Sequence, residues 1–411
     1  MSNDSPSQME PLLIADTRPY YRRLIGLAED LALASGKLES AIHKETAFSL
    51  ALLVDGMNCY YSNQMEGHHT RPIDIEIAMK REGGESLTSI QQLAGAHIDA
   101  AIWARATSIK DIGLSEFICA VHRKFYSQLP SEMLNQGGVK IIPGKVRTLE
   151  VSVGRHVAPN SASIADFLAR FDQVYGTVLS KSGKGGLYRG ESILASMAAH
   201  HRLVWIHPFL DGNGRTARIV TDAMLRESGL PGVGLWALSR GFARNGEQYK
   251  ALLDAADAPR KGDLDGRGSL SESALADFCE FALIAAIDQV KFMSDMFRAD
   301  DIERRISHLL SVSGDVKSIG SRLYARAFKD GGIERGDAPG ILGIPERTAR
   351  DILKTMLDKG YLVSDSPKGR VKAGFPPSLL EYAFPRLYPS DEVFRSEWVA
   401  SDISDVLPPV M

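Results

Sequence analysis

Apolar positions recur at intervals of three and four along most of the chain, a spacing that predicts helices. Helices are expected to fill about 19–110, including one over 44–66 with Gly67 as its stop signal. A second clear case is 191–206, where Ile193, Leu194, Met197, Leu203, Val204 and Ile206 supply the buried stripe. Pro208 cannot continue that helix, so it ends near His207. A new helix starts near Gly214 and is closed by Gly229. The most apolar helix, near 274–293, is broken by Asp277, Glu280 and Asp288; it reads as a buried helix and not a membrane span. Two stretches depart from the helical pattern. Residues 132–163 carry Gly and Pro around short β-rich runs, VKIIP and TLEVSVG, which suit a hairpin flap. Residues 259–269 are Gly- and Asp-rich and read as an exposed loop. The first 18 residues look loose.

A separate unit is expected from about 301. Its helix Pro345–Lys359 puts Ala349, Ile352, Leu353 and Met356 on one face and Arg347, Arg350 and Lys354 on roughly the opposite one. Tyr361–Ser364 and Arg370–Lys372, joined by Asp365-Ser366-Pro367-Lys368-Gly369, then read as a β-hairpin wing. The pattern is that of a winged helix-turn-helix. Residues 301–376 hold more basic than acidic side chains, whereas the whole chain carries −3. Such a module can lay its second helix in a DNA groove. It can equally make protein contacts, with a second copy of the chain among them as a homodimer. Glu346, Asp351 and Asp358 on the same helix weigh against DNA. The tail 377–411, rich in Pro and aromatics, is expected to pack on this module.

Composition narrows the class. With 44% hydrophobic and 24% charged residues among 411, the chain reads as an ordinary soluble globular protein of several domains. The opening MSNDSPSQMEPLL has neither a basic start nor a long apolar run, so no signal peptide is expected. The three cysteines, Cys59, Cys119 and Cys279, lack metal-ligand spacing and suit a reducing cytoplasm.

Candidate chemistry is concentrated in His207-Pro208-Phe209-Leu210-Asp211-Gly212-Asn213-Gly214-Arg215, followed by Arg218. Gly212, Asn213 and Gly214 fall at a helix N-terminus, where unpaired backbone N–H groups and the helix dipole favour a phosphate. Arg215 and Arg218 share a face of that helix and can reach successive phosphates bidentately. Asp211 is placed to hold Mg²⁺, with Mn²⁺ as a substitute, against those phosphates. His207 can take a proton from an attacking hydroxyl. Phe209 reads as a core anchor for the loop.

HPFLDGNGRTAR resembles the signature motif of Fic-domain proteins, HPFx[DE]GNGRxxR. The likeness extends to LSEFICAVHRKF at 114–125, Gly144–Arg147 and Pro159 upstream, and to Trp236–Arg240 and Tyr249–Leu253 downstream, so it covers roughly 110–260. It implies a mainly α Fic helical fold with a β-hairpin flap, here with the C-terminal winged helix-turn-helix. It also implies transfer of AMP from ATP to a Ser, Thr or Tyr hydroxyl of a target protein or of the chain itself. In that reading His207 is the general base, Asp211 binds Mg²⁺, Gly212–Gly214 form the anion hole, Arg215 contacts the phosphates and Arg218 the γ-phosphate. Arg244, Asn245 and Tyr249 are candidates for the nucleotide-base pocket. Ser62-Asn63-Gln64-Met65-Glu66-Gly67 resembles the inhibitory motif [ST]xxxE[GN], which implies that Glu66 pairs with Arg218 and displaces the γ-phosphate, with Ser62 holding the helix against the loop. The resulting organisation is 1–110 N-terminal and inhibitory, 111–300 catalytic core and closing helices, 301–376 winged module, 377–411 tail. Alternatives stay open: a DNA-binding regulator using the core as a nucleotide sensor, transfer of UMP or phosphate, or removal of AMP with Glu66.

Overall fold

The computed structural model describes residues 4–80, 86–182 and 186–389. The chain is mainly helical. Helices α1 (Tyr21–Ser40), α2 (Lys44–Met65), α3 (Pro72–Lys80), α4 (Ser89–Ala106), α5 (Ile109–Ile112) and α6 (Leu114–Tyr126) precede the region expected to be a flap. That region holds two antiparallel pairs, β1 (Asn135–Gln136) with β2 (Val139–Lys140), and β3 (Ser152–Val153) with β4 (His156–Val157). The single hairpin expected over 132–163 is thus divided in two. Then come α7 (Ile164–Lys181), α8 (Leu187–Ile206), α9 (Asn213–Glu227), α10 (Leu238–Arg244), α11 (Gly246–Ala256) and α12 (Glu272–Met296).

Two helices sit at the centre. The middle of α8, from Ser192 to Leu203, is buried on every face, with α1, α7, α9 and α12 packed around it. In α2 every residue from Leu53 to Asn63 is buried. A helix buried all round must find internal partners for its polar side chains. Three of those of α2 are met by other helices: Asp55 by Arg105 of α4, Asn58 through its Nδ2 by Asp222 of α9 (2.9 Å), and Ser62 by Arg218 of α9 (2.9 Å). The inhibitory candidate segment is therefore the end of a core helix. It stops where predicted, with Gly67 at φ +79°.

The N-terminal segment is not loose where it is described. Met9, Leu12 and Ile14 are buried. The Tyr175 hydroxyl donates to Leu12 O (2.6 Å), the Arg202 guanidinium to Pro11 O (3.0 Å), and Leu270 N to Glu10 O (2.9 Å). Its apolar residues are too few to show as a pattern, but its carbonyls satisfy buried donors. The same strap pins the 259–269 loop, whose Asp265 is buried.

Beyond α12 follow α13 (Ala299–Ser313), α14 (Ser321–Asp330), α15 (Ala338–Leu342) and α16 (Glu346–Asp358). The pair β5 (Leu362–Val363) with β6 (Lys372–Ala373) and α17 (Pro377–Ala383) end the described chain. In α16 the residues Ala349, Ile352, Leu353 and Met356 are buried, while Pro345 precedes the first turn instead of opening it. This unit seats on the N-terminal end of α2: Thr46 Oγ1 donates to Phe328 O (2.6 Å), and Lys372 lies 3.6 Å from Glu45. Of the expected tail, Leu379, Phe384 and Leu387 are buried; 390–411 lie outside the described residues. Among the described residues no helix is long and apolar enough to cross a membrane.

Candidate active site

The loop between α8 and α9 is built by local bonds and held by distant ones. His207 leaves α8 with φ +50°, a left-handed conformation that costs energy outside glycine and persists only when its surroundings fix it. Arg147 does the fixing. Its Nε donates to His207 O (2.8 Å), its backbone N–H to Pro208 O (2.8 Å), and its other guanidinium nitrogens to Leu149 O and Pro159 O. Inside the loop, Asn213 closes a ring: Phe209 N donates to its Oδ1 (2.9 Å) and its Nδ2 donates to Phe209 O (2.8 Å). The Asn213 side chain is spent on shaping the loop, so only its backbone N–H is left for an anion. Gly212 has φ +78°, and a Cβ there would lie 2.3 Å from the Tyr126 hydroxyl. No other residue fits.

Residues of α6 support the loop from below. The His122 ring lies between Phe209 (3.9 Å between centroids) and Tyr126 (4.2 Å), stacked on both. Gly144 N donates to His122 Nδ1 (2.8 Å), which puts the ring proton on Nε2, facing Asp211 O at 3.2 Å. Burial lowers the His122 pKa to about 4, so the ring stays neutral and keeps that tautomer. Tyr126 donates to Asp211 Oδ2 (2.7 Å), and Arg215 Nη2 contacts both the Tyr126 oxygen (2.9 Å) and Asp211 Oδ2 (3.2 Å). Burial pushes the Asp211 pKa up; the Arg215 charge, the Tyr126 hydroxyl and the Gly212 amide outweigh it, and the carboxyl ends below its ordinary value. The buried Nε of Arg215 has no hydrogen-bond partner, an orphan donor at the edge of a helix N-terminus.

His207 is also neutral: burial brings its pKa down to about 4. Its Nδ1 faces Val204 O at 3.3 Å, which assigns the proton to Nδ1 and leaves the Nε2 lone pair as the basic atom.

At the other side, the end of α2 meets α9. Arg218 donates from Nε to Ser62 Oγ (2.9 Å) and from Nη2 to Ser62 O (2.9 Å) and Glu66 Oε1 (2.7 Å). Glu66 Oε1 lies so close over Gly214 that a Cβ there would be 2.2 Å from it. Burial alone would raise the Glu66 pKa, but Arg218 and Arg215 together bring it below its ordinary value. A carboxylate thus occupies the first turn of α9, where anions are favoured.

Residues 113–225 match the Fic/DOC family. This stretch is a Fic/DOC domain. Two curated relatives are both named protein adenylyltransferase Fic. The one from Drosophila virilis is 28% identical over 223 residues, which is 52% of this chain and 40% of that protein. The one from Drosophila grimshawi is 37% identical over 90 residues, 22% of this chain and 17% of that protein. The chain spans less than half the length of either. In fold, it is similar to a Fic family protein from Desulfovibrio desulfuricans G20, with a TM-score of 0.51, 16% identity, and coverage of 89% of this chain and 98% of that one.

The fold brings His207, Asp211, Gly212–Gly214, Arg215 and Arg218 of this stretch together with Ser62 and Glu66 from the end of α2. The base-pocket candidates divide. Tyr249 is buried, with its hydroxyl 2.8 Å from His200 Nε2. Asn245 Nδ2 donates to Gly241 O (2.9 Å), and Arg244 lines a different cavity, between α10 and α12. Among the described residues no group of His, Cys, Asp and Glu is dense enough to cage a metal by itself. A phosphate-bound Mg²⁺ needs only one or two carboxylates, and Asp211 keeps one oxygen clear of Tyr126 and Arg215. The supporting residues His122 and Tyr126 escape the sequence reading. Their four-residue spacing on α6 marks one face, but nothing local says what that face meets.

Proposed function

We propose that the chain is a protein adenylyltransferase that moves AMP from ATP to a protein hydroxyl, and that Glu66 holds it inactive. The observation that carries this reading is the Glu66 carboxylate on Arg218 and over Gly214, where a nucleotide's terminal phosphate would bind. The catalytic loop's geometry fits the chemistry. The backbone amides of Asn213 and Gly214 and the charge of the Arg215 guanidinium would stabilise the phosphates. Asp211 would hold Mg²⁺ with phosphate oxygens, an ion that supplies charge neutralisation when bound. Neutral His207 accepts the proton of a Ser, Thr or Tyr hydroxyl through Nε2 as that oxygen attacks the α-phosphorus and pyrophosphate leaves. The work is positioning and charge stabilisation, with no covalent enzyme intermediate. A target segment would add to the exposed β3–β4 hairpin, where Val153 and Val157 stand in solvent. With Glu66 in place, Arg218 is occupied and the γ-phosphate meets a like charge, so the α-phosphorus is turned away from in-line attack.

The 301–376 unit is proposed as a protein-contact module. Part of its basic side chains are answered by acids of its own, Arg350 by Glu346, Arg370 by Glu334 and Lys359 by Asp315, and Glu346, Asp351 and Asp358 share α16 with Arg347 and Lys354. Each paired cation is one fewer for DNA phosphates, and acids on the same helix repel them.

The test incubates the wild-type chain and Glu66→Gly separately with each NTP and Mg²⁺, read by intact mass. Auto-modification by AMP is expected in the variant and near silence in the wild type. Equal rates would remove the inhibitory role, and a gain of mass only with another NTP would remove AMP as the transferred group.

A further inference from the structure

A second cavity, of about 960 Å³, lies between α1, α10, the end of α12 and α14, away from the nucleotide loop. That volume is at the upper end of ordinary small-molecule sites. Its lining is strongly cationic. Arg240 is 2% exposed, and Lys37, Arg244, Lys291, Arg298 and Lys329 stand around it. Asp288, Asp295 and Asp300 are the acids that face them. Among the described residues, Lys37, Arg244, Lys291 and Lys329 make no ion pair.

Arg240 is the unusual member. A buried guanidinium is expected to have a carboxylate, because an unpaired buried charge is costly. Its partners here are neutral: Gln289 Oε1 at 2.8 Å, the carbonyl of Arg386 at 3.1 Å, and the face of Phe292, 3.6 Å from centroid to guanidinium carbon. Its buried Nε has no hydrogen-bond partner. The fold thus keeps a desolvated arginine with a spare donor at the side of a large cavity where, of the other cations, Arg298 pairs with Asp301 while Lys37, Arg244, Lys291 and Lys329 make no ion pair among the described residues. Such an arrangement is completed by a ligand anion with more than one charged group, since the cations come from four separate helices.

We propose that this cavity binds a small metabolite carrying two or more phosphate or carboxylate groups, at a site independent of the Fic loop. The site adjoins the proposed inhibitory helix. Arg240 also lies 5.8 Å from the ring of Tyr61, the residue before Ser62.

The test uses the full chain, with inorganic pyrophosphate and citrate as probes in calorimetric titrations. Pyrophosphate can also enter the nucleotide loop, so the titration is made in Arg215→Ala as well as in the wild type. One site is expected to survive in Arg215→Ala. Adding Lys37→Ala, Lys291→Ala and Lys329→Ala is expected to weaken it at least tenfold; these side chains are exposed, so folding should be kept. Arg240→Gln should weaken it in the same direction. Retained pyrophosphate binding with no citrate binding identifies phosphate as the group read, and the reverse identifies carboxylate. The proposal is overturned if neither probe binds Arg215→Ala, or if the triple lysine variant binds as tightly as its parent.

Discussion

The two ends of α2 are held by different physics. At the C-terminal end, Ser62 and Glu66 grip Arg218 through charge-assisted bonds, on a side chain that the proposed reaction also needs. At the N-terminal end, Thr46 donates to Phe328 O, and His43 packs so closely on Gly331 that a Cβ there could not fit. The first contact is one anion in a place suited to another, so a nucleotide can compete for it. The second is a neutral bond and close packing, with a partly exposed ion pair from Lys372 to Glu45 beside them, which no nucleotide displaces. One helix thus joins a replaceable contact to a fixed one.

The sharpest way to break this comparison is at the replaceable end. Glu66→Gly should raise auto-modification by about a hundredfold or more, the order of effect expected when in-line geometry is restored. In that background His207→Ala should remove about 10²–10⁴-fold of the rate while ATP affinity, measured by titration, changes little. Undiminished turnover would deny His207 its role as base. The pH profile sharpens the same point. With its pKa near 4, His207 is neutral across pH 5–8, so kcat/KM of the Glu66→Gly chain should show no inflection near the ordinary histidine value of 6.5. The same lowered pKa works against stability in acid: the unfolded ring gains its proton first, so the contribution of His207 is intact above 6.5 and is lost as pH falls toward 4. An acid limb at 6.5 would mean that the ring is solvated.

Smaller effects follow. Ser62→Ala removes one bond to the Arg218 charge, worth roughly 1.5–3 kcal/mol. It should activate, but less than Glu66→Gly; an equal effect would show the two contacts to be one unit. Thr46→Val at the fixed end should lower Tm by several degrees in a thermal melt, yet leave the wild-type chain silent. Strong activation by Thr46→Val would erase the distinction, because the C-terminal unit would then be holding the inhibitor in place.

The sequence shows the contacts that are made locally and hides those that are not. The turn at Asp211–Gly214 and the helices on either side of it are legible because their causes, Pro208, Gly212 and the apolar stripes, lie within a few residues. The end of α2 at Gly67 is legible for the same reason. Arg147 is part of a recognisable stretch, but its grip on His207 O spans 60 positions, and that of Tyr126 on Asp211 spans 85. Nothing in the periodicity of α6 distinguishes Tyr126 from a core tyrosine. Asn213 looks like an anion binder by position, and only the ring it forms with Phe209 shows its side chain otherwise engaged. Residues 4–18 look loose because they contribute carbonyls more than side chains, and backbone acceptors leave no trace in composition.

Glu66 and Arg218 are 152 positions apart in one chain, which gives the contact a property that no separate inhibitor has. A tethered carboxylate cannot be diluted. Its local concentration is fixed by the fold, on the order of millimolar or above for groups held this close. On the proposed reading, dilution of the protein would not by itself uncover Arg218. What can do so is another anion at comparable concentration, or a change in the distance over which α2 is held. The chain would then read the level of its own nucleotide against an internal standard that it carries with it.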